Sequence, residues 1–189
     1  MIETIATLLT AIGLGSGAGV NAYATFLVFG LVSRLQPALF PSDLAGFFGS
    51  TPVLIVAGTL YVIEFIADKI PAIDHAWDVV HTFIRPLAGA LLAVAATSSE
   101  FPRSWVVVAS VLSGGAALGS HLLKATMRAA STTTTGGMGN PILSVAEDIV
   151  AFVSSAVAIF LPWLFLALLI VAIACLVYLS ARWSARREG

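Results

Sequence analysis

An all-α bundle of transmembrane helices is the fold this sequence predicts, and three observations carry the prediction. Of its 189 residues, 59% are hydrophobic and only 10% are charged. Mean hydropathy is +1.00. The charges are gathered in short stretches, leaving apolar runs long enough to cross a bilayer. A water-soluble domain needs a polar shell that nine Lys/Arg and ten Asp/Glu cannot provide, so lipid is the expected outer solvent. A formal net charge of −1 offers no basic surface for nucleic acid.

A hydrocarbon core about 30 Å thick needs about 20 helical residues at about 1.5 Å each. From Met1 to Leu35 the chain is apolar but for Glu3 near its start and Arg34 near its end. Gly13, Gly15, Gly17 and Gly19 crowd its middle and disfavour a continuous helix there. The stretch reads either as one long broken helix or as a short re-entrant segment followed by a full span. Five further spans follow: Thr51 to Ile70, Asp74 to Ser98 with a polar first half, Ser104 to Leu123, Pro141 to Phe160, and Pro162 to Ala181. A polar loop from Ser131 to Asn140 separates the fourth and fifth spans in the chain. The total is six spans, some of them broken, in one transmembrane domain over residues 1–189.

Trp77, Trp105, Trp163 and Trp183 fall near span ends, where amphipathic rings anchor at the interface. The single cysteine, Cys175, sits within an apolar run and reads as a packing residue. Met1 to Thr4 lack the basic region of a secretory signal, so the first residue is expected to be kept. Lys124 and Arg128, with Arg182, Arg186 and Arg187, mark the cytoplasmic side. Six spans then place both termini there, with Lys69 and Arg85 inside and Arg34 and Arg103 outside. The expected location is the inner membrane of the cell, as a multi-pass protein.

The chemistry lies in the polar residues inside these spans. Glu64 and Asp68 stand four apart on one helix face of an apolar span. Charges there cost several kcal/mol unless paired or hydrated. After Pro71, the residues Asp74, Asp78, His81 and Arg85 draw a second stripe at spacings of four, three and four. The two stripes can face each other across the turn. Carboxylates are hard oxygen ligands and His81 titrates near neutral pH, which points to a cation or proton site. Salt-bridged helix ends, with Lys69 and Arg85 as partners, are the competing reading.

A third stripe, His121, Lys124 and Arg128, shares one face of its helix. Lys124 and Arg128 also fit as ordinary interfacial anchors. Glu147 and Asp148 enter the next span with no basic neighbour in sequence, and are expected to pair with Lys124, Arg128 or His121. Ser144 and Glu147 have the spacing of a helix-start capping pair. The glycine-rich run Gly13 to Asn21 is echoed by Ser113 to Ser120, which suggests two related halves, 1–98 and 99–189. Transporter repeats place binding sites where their helices are broken, whereas small residues alone serve close helix packing. No GxxxxGK[ST], HExxH, GxSxG or CxxC motif occurs.

The segments Gly17-Ala18-Gly19-Val20-Asn21-Ala22-Tyr23, Glu64 to Asp74 as E-x-I-A-D-K-I-P-x-x-D, Ile84 to Ala90 as IRPLAGA, and Ser144-x-x-Glu147-Asp148 together resemble the bacterial membrane family called domain of unknown function 4126. The resemblance covers most of the chain. It implies a polytopic membrane protein of this size and supplies no substrate.

The leading functional expectation is a small transporter or channel for a cation, coupled to protons. Glu64 and Asp68 are its ligands, Asp74, Asp78 and His81 line the entry, and Glu147 and Asp148 complete the site. Lys69, Arg85, His121, Lys124 and Arg128 are the charge partners. If a divalent cation is held, Glu64, Asp68 and Asp78 are the expected metal ligands. The alternatives are a metal-dependent enzyme or flippase gripping a phospholipid or polyprenyl phosphate head group through Lys124, Arg128 and Arg85, and a structural membrane partner. Few spans for a private aqueous path point to a homo-oligomer.

Overall fold

The computed structural model describes the backbone of residues 1–97 and 101–185, with side chains described throughout these ranges except at 71–78 and 183–185. Its helices are α1 (Ile2–Val20), α2 (Ala22–Leu35), α3 (Asp43–Phe48), α4 (Thr51–Ala67), α5 (Pro71–Ala96), α6 (Arg103–Thr135), α7 (Asn140–Phe160) and α8 (Pro162–Ala185). A single 3-10 turn, Pro37–Leu39, precedes α3. There is no strand among the described residues. The all-α expectation holds.

Five helices, α1, α5, α6, α7 and α8, are long and apolar enough to cross a membrane. The apolar α2 and α4 are shorter, at 14 and 17 residues. They rise about 21 and 25 Å. Burial is inverted relative to a soluble protein: the buried apolar positions are mostly alanine, while Leu, Ile and Val crowd the outer surface. Lipid gives helices no hydrophobic reason to associate, so small residues that admit close backbone contact line the interior. Trp105 and Trp163 are exposed near the starts of α6 and α8, as interfacial anchoring requires. Cys175 is exposed on α8, in place of the interior packing position expected.

Side-chain contacts fix the direction of each helix. Thr10 of α1 donates to the Ala158 carbonyl and Asn21 to Asp148, so α1 and α7 are antiparallel. Ser113 donates to the Ala11 carbonyl and Ser120 to that of Ser16, so α1 and α6 are parallel. Ser113 also donates to the Gly89 carbonyl, while Thr82 meets His121, so α5 opposes α6. The chain reverses sharply at Asn21, and α2 then runs beside α7, with Thr25 against Ser155. With the shorter α2 and α4, the described residues form seven apolar helices, five of them long enough to cross a membrane.

α8 runs parallel to α1, with Pro162 near Thr10 and Ala172 near Val20, so Met1 and the end of α8 lie at opposite ends of the bundle. Arg85 and Lys124 lie at the C-terminal end of α1, whereas Arg34 lies by Thr51 and Arg103 by Asp43 and Thr97, toward the other end of the bundle. Arg186 and Arg187 lie outside the described residues.

The glycine run does not break α1, which is helical from Ile2 to Val20. Backbone groups in lipid must be satisfied within the segment, and that outweighs the propensity penalty measured in water. Positions two apart on a helix face nearly opposite ways. Accordingly Gly13 and Gly17 abut Ala158 and Ser155 of α7, while Gly15 and Gly19 abut Ser113, Ala117 and Ser120 of α6. The echo between the two small-residue runs is thus a contact surface between α1 and α6. The loop Ser131 to Asn140 is likewise revised. Thr133, Thr134 and Thr135 donate to the carbonyls of Ala129, Ala130 and Ser131, and α6 continues to Thr135 before a turn that opens with Gly136 at φ 62°.

Candidate functional site

The helix break at Asn21 organises the site. Its backbone is extended, with φ −148° and ψ 107°, and its side-chain oxygen accepts from the Ala24 amide at 2.9 Å to cap α2. Helix termini in lipid carry backbone groups with no intrahelical partner. Here the orphan carbonyls of α1 meet cations: Arg85 donates to the Gly19 carbonyl at 3.0 Å and Lys124 to that of Val20 at 3.1 Å. Positive charge at a helix C-terminus is also favoured by its dipole.

Arg85 and Glu64 form a buried ion pair at 2.7 Å, both side chains 0% exposed. The same guanidinium meets His121 Nδ1 at 2.6 Å. Arginine only donates, so Nδ1 is the acceptor and the His121 proton resides on Nε2, which donates to Thr82 at 3.0 Å. His121 is therefore a neutral acceptor for Arg85, a different part from the charge partner expected for Glu147 or Asp148.

One turn along, Asp68 accepts from Lys124 at 3.2 Å and from Arg128 at 2.7 Å. Arg128 also grips Glu147, with Nε at 3.0 Å from Oε2 and Nη2 against the same oxygen. Lys124 lies 3.5 Å from that oxygen. The Lys124 and Arg128 side chains are 2% and 1% exposed, so they are interior groups and not interfacial anchors. The continuation of α6 past them explains why.

Asp148 is held differently. Asn21 donates to its Oδ1 at 2.8 Å, Oδ2 has no partner, and no base pairs with it. It lies in the electrostatic field of Asp68, Lys124 and Glu64. On the same face of α7, Ser144 and Asn140 are buried with Ser144 Oγ and Asn140 Oδ1 unpartnered. Ser144 is inside α7, which starts at Asn140, so it does not cap the helix.

The remaining expected residues divide. His81 is buried, and Tyr23 meets its ring edge-on at 5.7 Å. Lys69 is half-buried, sits over the Phe65 ring and donates to the Phe65 carbonyl, apart from the network. The side chains of Asp74, Asp78 and Trp77, like that of Trp183, lie outside the described residues. Among the described residues no group of three His, Cys, Asp or Glu side chains is arranged to hold a metal. Of Glu64, Asp68 and Asp78, the first two are committed to basic partners.

Asn21, Thr82 and Asn140 belong to the site but were not expected there. Asn21 carried the only available signal, as the one amide in the apolar run from Ile5 to Leu31. Asn21→Ala removes both the α2 cap and the donor to Asp148, and should cost about 2 kcal/mol, read as a lowered unfolding midpoint in detergent.

Neither a curated protein nor a solved structure matches the chain. A bundle of apolar helices broken around a buried ionic network agrees with the resemblance carried by the Glu64 and Ser144 segments, and across residues 8–182 the chain belongs to the family described as domain of unknown function (DUF4126).

Proposed function

We propose that the chain is a small secondary transporter driven by a proton or a small monovalent cation, with Asp148 as the group that takes up the ion. The observation that carries this reading is the asymmetry among the four described carboxylates of the network, of which Glu64, Asp68 and Asp148 are buried. Glu64, Asp68 and Glu147 are each paired with a base, whereas Asp148 has an amide on one oxygen and nothing on the other. Among the described side chains of the network, Asp148 is thus the one carboxylate without a basic partner. One proton, or one monovalent cation, neutralises it.

Burial makes that charge consequential, because an uncompensated charge in a low-dielectric interior costs several kcal/mol and is relieved by binding a counter-charge. The helix break supports the same reading, since discontinuous helices present their polarised ends to ions and substrates in many transporters. Loading the open oxygen of Asp148 weakens the charge-assisted bond that its other oxygen accepts from Asn21, which also caps α2, so uptake bears on the junction between α1 and α2. A metal-dependent enzyme is less well supported, because Glu64 and Asp68 already neutralise bases.

The test is proton flux into vesicles carrying the purified protein and a trapped pH dye, under an imposed gradient. Asp148→Asn keeps an acceptor for Asn21 and cannot ionise. It should lower flux by tenfold or more (about 1.4 kcal/mol per factor of ten) while changing stability by less than about 1 kcal/mol. Asp43→Asn, at the exposed start of α3, should leave flux unchanged. Wild-type flux in Asp148→Asn removes Asp148 from the mechanism.

A further inference from the structure

The geometry points to a proton, and not an alkali cation, as the ion taken up at Asp148, with Ser144 selecting it by accepting the hydrogen bond of the protonated carboxyl. The inference rests on the reading of Asp148 given above and adds the identity of the ion. Asn140, Ser144 and Asp148 stand four residues apart on the buried face of α7, at 2%, 0% and 6% exposure. Each holds one buried oxygen without a partner: Oδ1, Oγ and Oδ2 in turn. Ser144 departs from the habit of the bundle. The hydroxyls of Ser110, Ser120, Thr126 and Ser180 donate to a carbonyl three or four residues back, the ordinary use of Ser or Thr inside a helix. Among the described residues Ser33 is the other buried hydroxyl without a partner, and its helix carries no acid.

One proton settles the whole row. Side chains on a helix lean toward its N-terminus, so Asp148 leans over Ser144 and Ser144 over Asn140. Protonated at Oδ2, the carboxyl becomes a donor. Ser144 Oγ turns about its χ1 bond to accept from it, and the Ser144 hydrogen then donates to Asn140 Oδ1. The O–H bond at Oδ2 takes its proton from hydronium on the acidic side of the membrane, leaving water, and returns it to water on the other. The charged groups facing Asp148 are Glu64 and Asp68 from α4 and Lys124 from α6, with Tyr61 of α4 in the same field. Both of those acids already accept from bases, so neither competes for the proton. An alkali cation must replace its hydration shell with a full set of oxygens. Asp148 offers one open oxygen, and the next in the row is a helical turn away.

Ser144→Ala removes a hydroxyl that bonds nothing in the unloaded state, so its unfolding midpoint in alkaline detergent should equal that of the wild type. Its proton flux in vesicles should fall about tenfold, the value of one hydrogen bond, and Ser144→Thr should restore it. Infrared difference spectra between acid and alkaline buffer read the same bond without flux. The carboxyl carbonyl band that Asp148→Asn deletes should move to higher frequency in Ser144→Ala, where the acid hydrogen has lost its acceptor. Wild-type flux should also persist when sodium and potassium are replaced by choline. A band that Ser144→Ala leaves in place, a lowered alkaline midpoint in that variant, or flux that requires sodium overturns the assignment of a proton to Ser144 and Asp148 while leaving Asp148 as the ion site. Wild-type flux in Asp148→Asn removes the ion site itself, so the two failures are distinct.

Discussion

Arg85→Met is expected to destabilise the bundle by about 3–5 kcal/mol, the cost of stranding one member of a buried ion pair. Three contacts end together: the 2.7 Å bond to Glu64, the 3.0 Å bond to the Gly19 carbonyl and the 2.6 Å bond to His121. Glu64 is left wholly buried and charged, and the last turn of α1 loses a donor that water cannot replace in lipid. Glu64→Gln should be milder than Arg85→Met, because the amide still offers Arg85 an oxygen, though no counter-charge. The double variant Glu64→Gln with Arg85→Met should recover part of the loss, since no uncompensated charge then remains. Unfolding midpoints in one detergent across the four proteins measure the coupling. Additive losses would mean that Glu64 and Arg85 do not depend on each other for burial.

The residue types of this network were legible in the sequence because helical spacing is local. Glu64 with Asp68, His81 with Arg85, and His121 with Lys124 and Arg128 each fall on one face by arithmetic alone. Their partners were not legible, since pairing across separate helices depends on directions and offsets that no short window contains. Glu147 does meet Lys124 and Arg128 as expected, whereas Asp148 turns to an amide 127 residues away. The break in the first 35 residues was foreseen but assigned to the glycines, on propensities measured in water. Asn21 makes the break because its side chain caps α2 and reaches Asp148, and the glycines serve contact instead. Thr133 to Thr135 read as a loop for the same reason, although in the structure their hydroxyls bond back along α6.

The contact role of those glycines predicts the second large effect. A methyl group at Gly15 would collide with the Ser113 carbonyl and hydroxyl, and one at Gly19 with the Ala117 carbonyl and the Ser120 hydroxyl. Backbone carbonyls cannot swing aside as a side-chain end can, so α1 and α6 must separate along their length. Separation also breaks the bonds from Ser113 to Ala11 and Gly89 and from Ser120 to Ser16. Gly15→Ala and Gly19→Ala should therefore each cost about 2–3 kcal/mol, opposite in sign to the gain of about 0.5–1 kcal/mol that alanine normally gives within a helix. Gly115 and Gly119 on α6 provide the contrast: a methyl group there meets nothing within 4 Å, and alanine should be neutral or stabilising. All four changes alter the same intrinsic propensity by the same amount. If unfolding midpoints fail to separate Gly15 and Gly19 from Gly115 and Gly119, close approach of α1 to α6 is not what holds the bundle together, and the positions of Arg85 and Lys124 over the end of α1 lose their support.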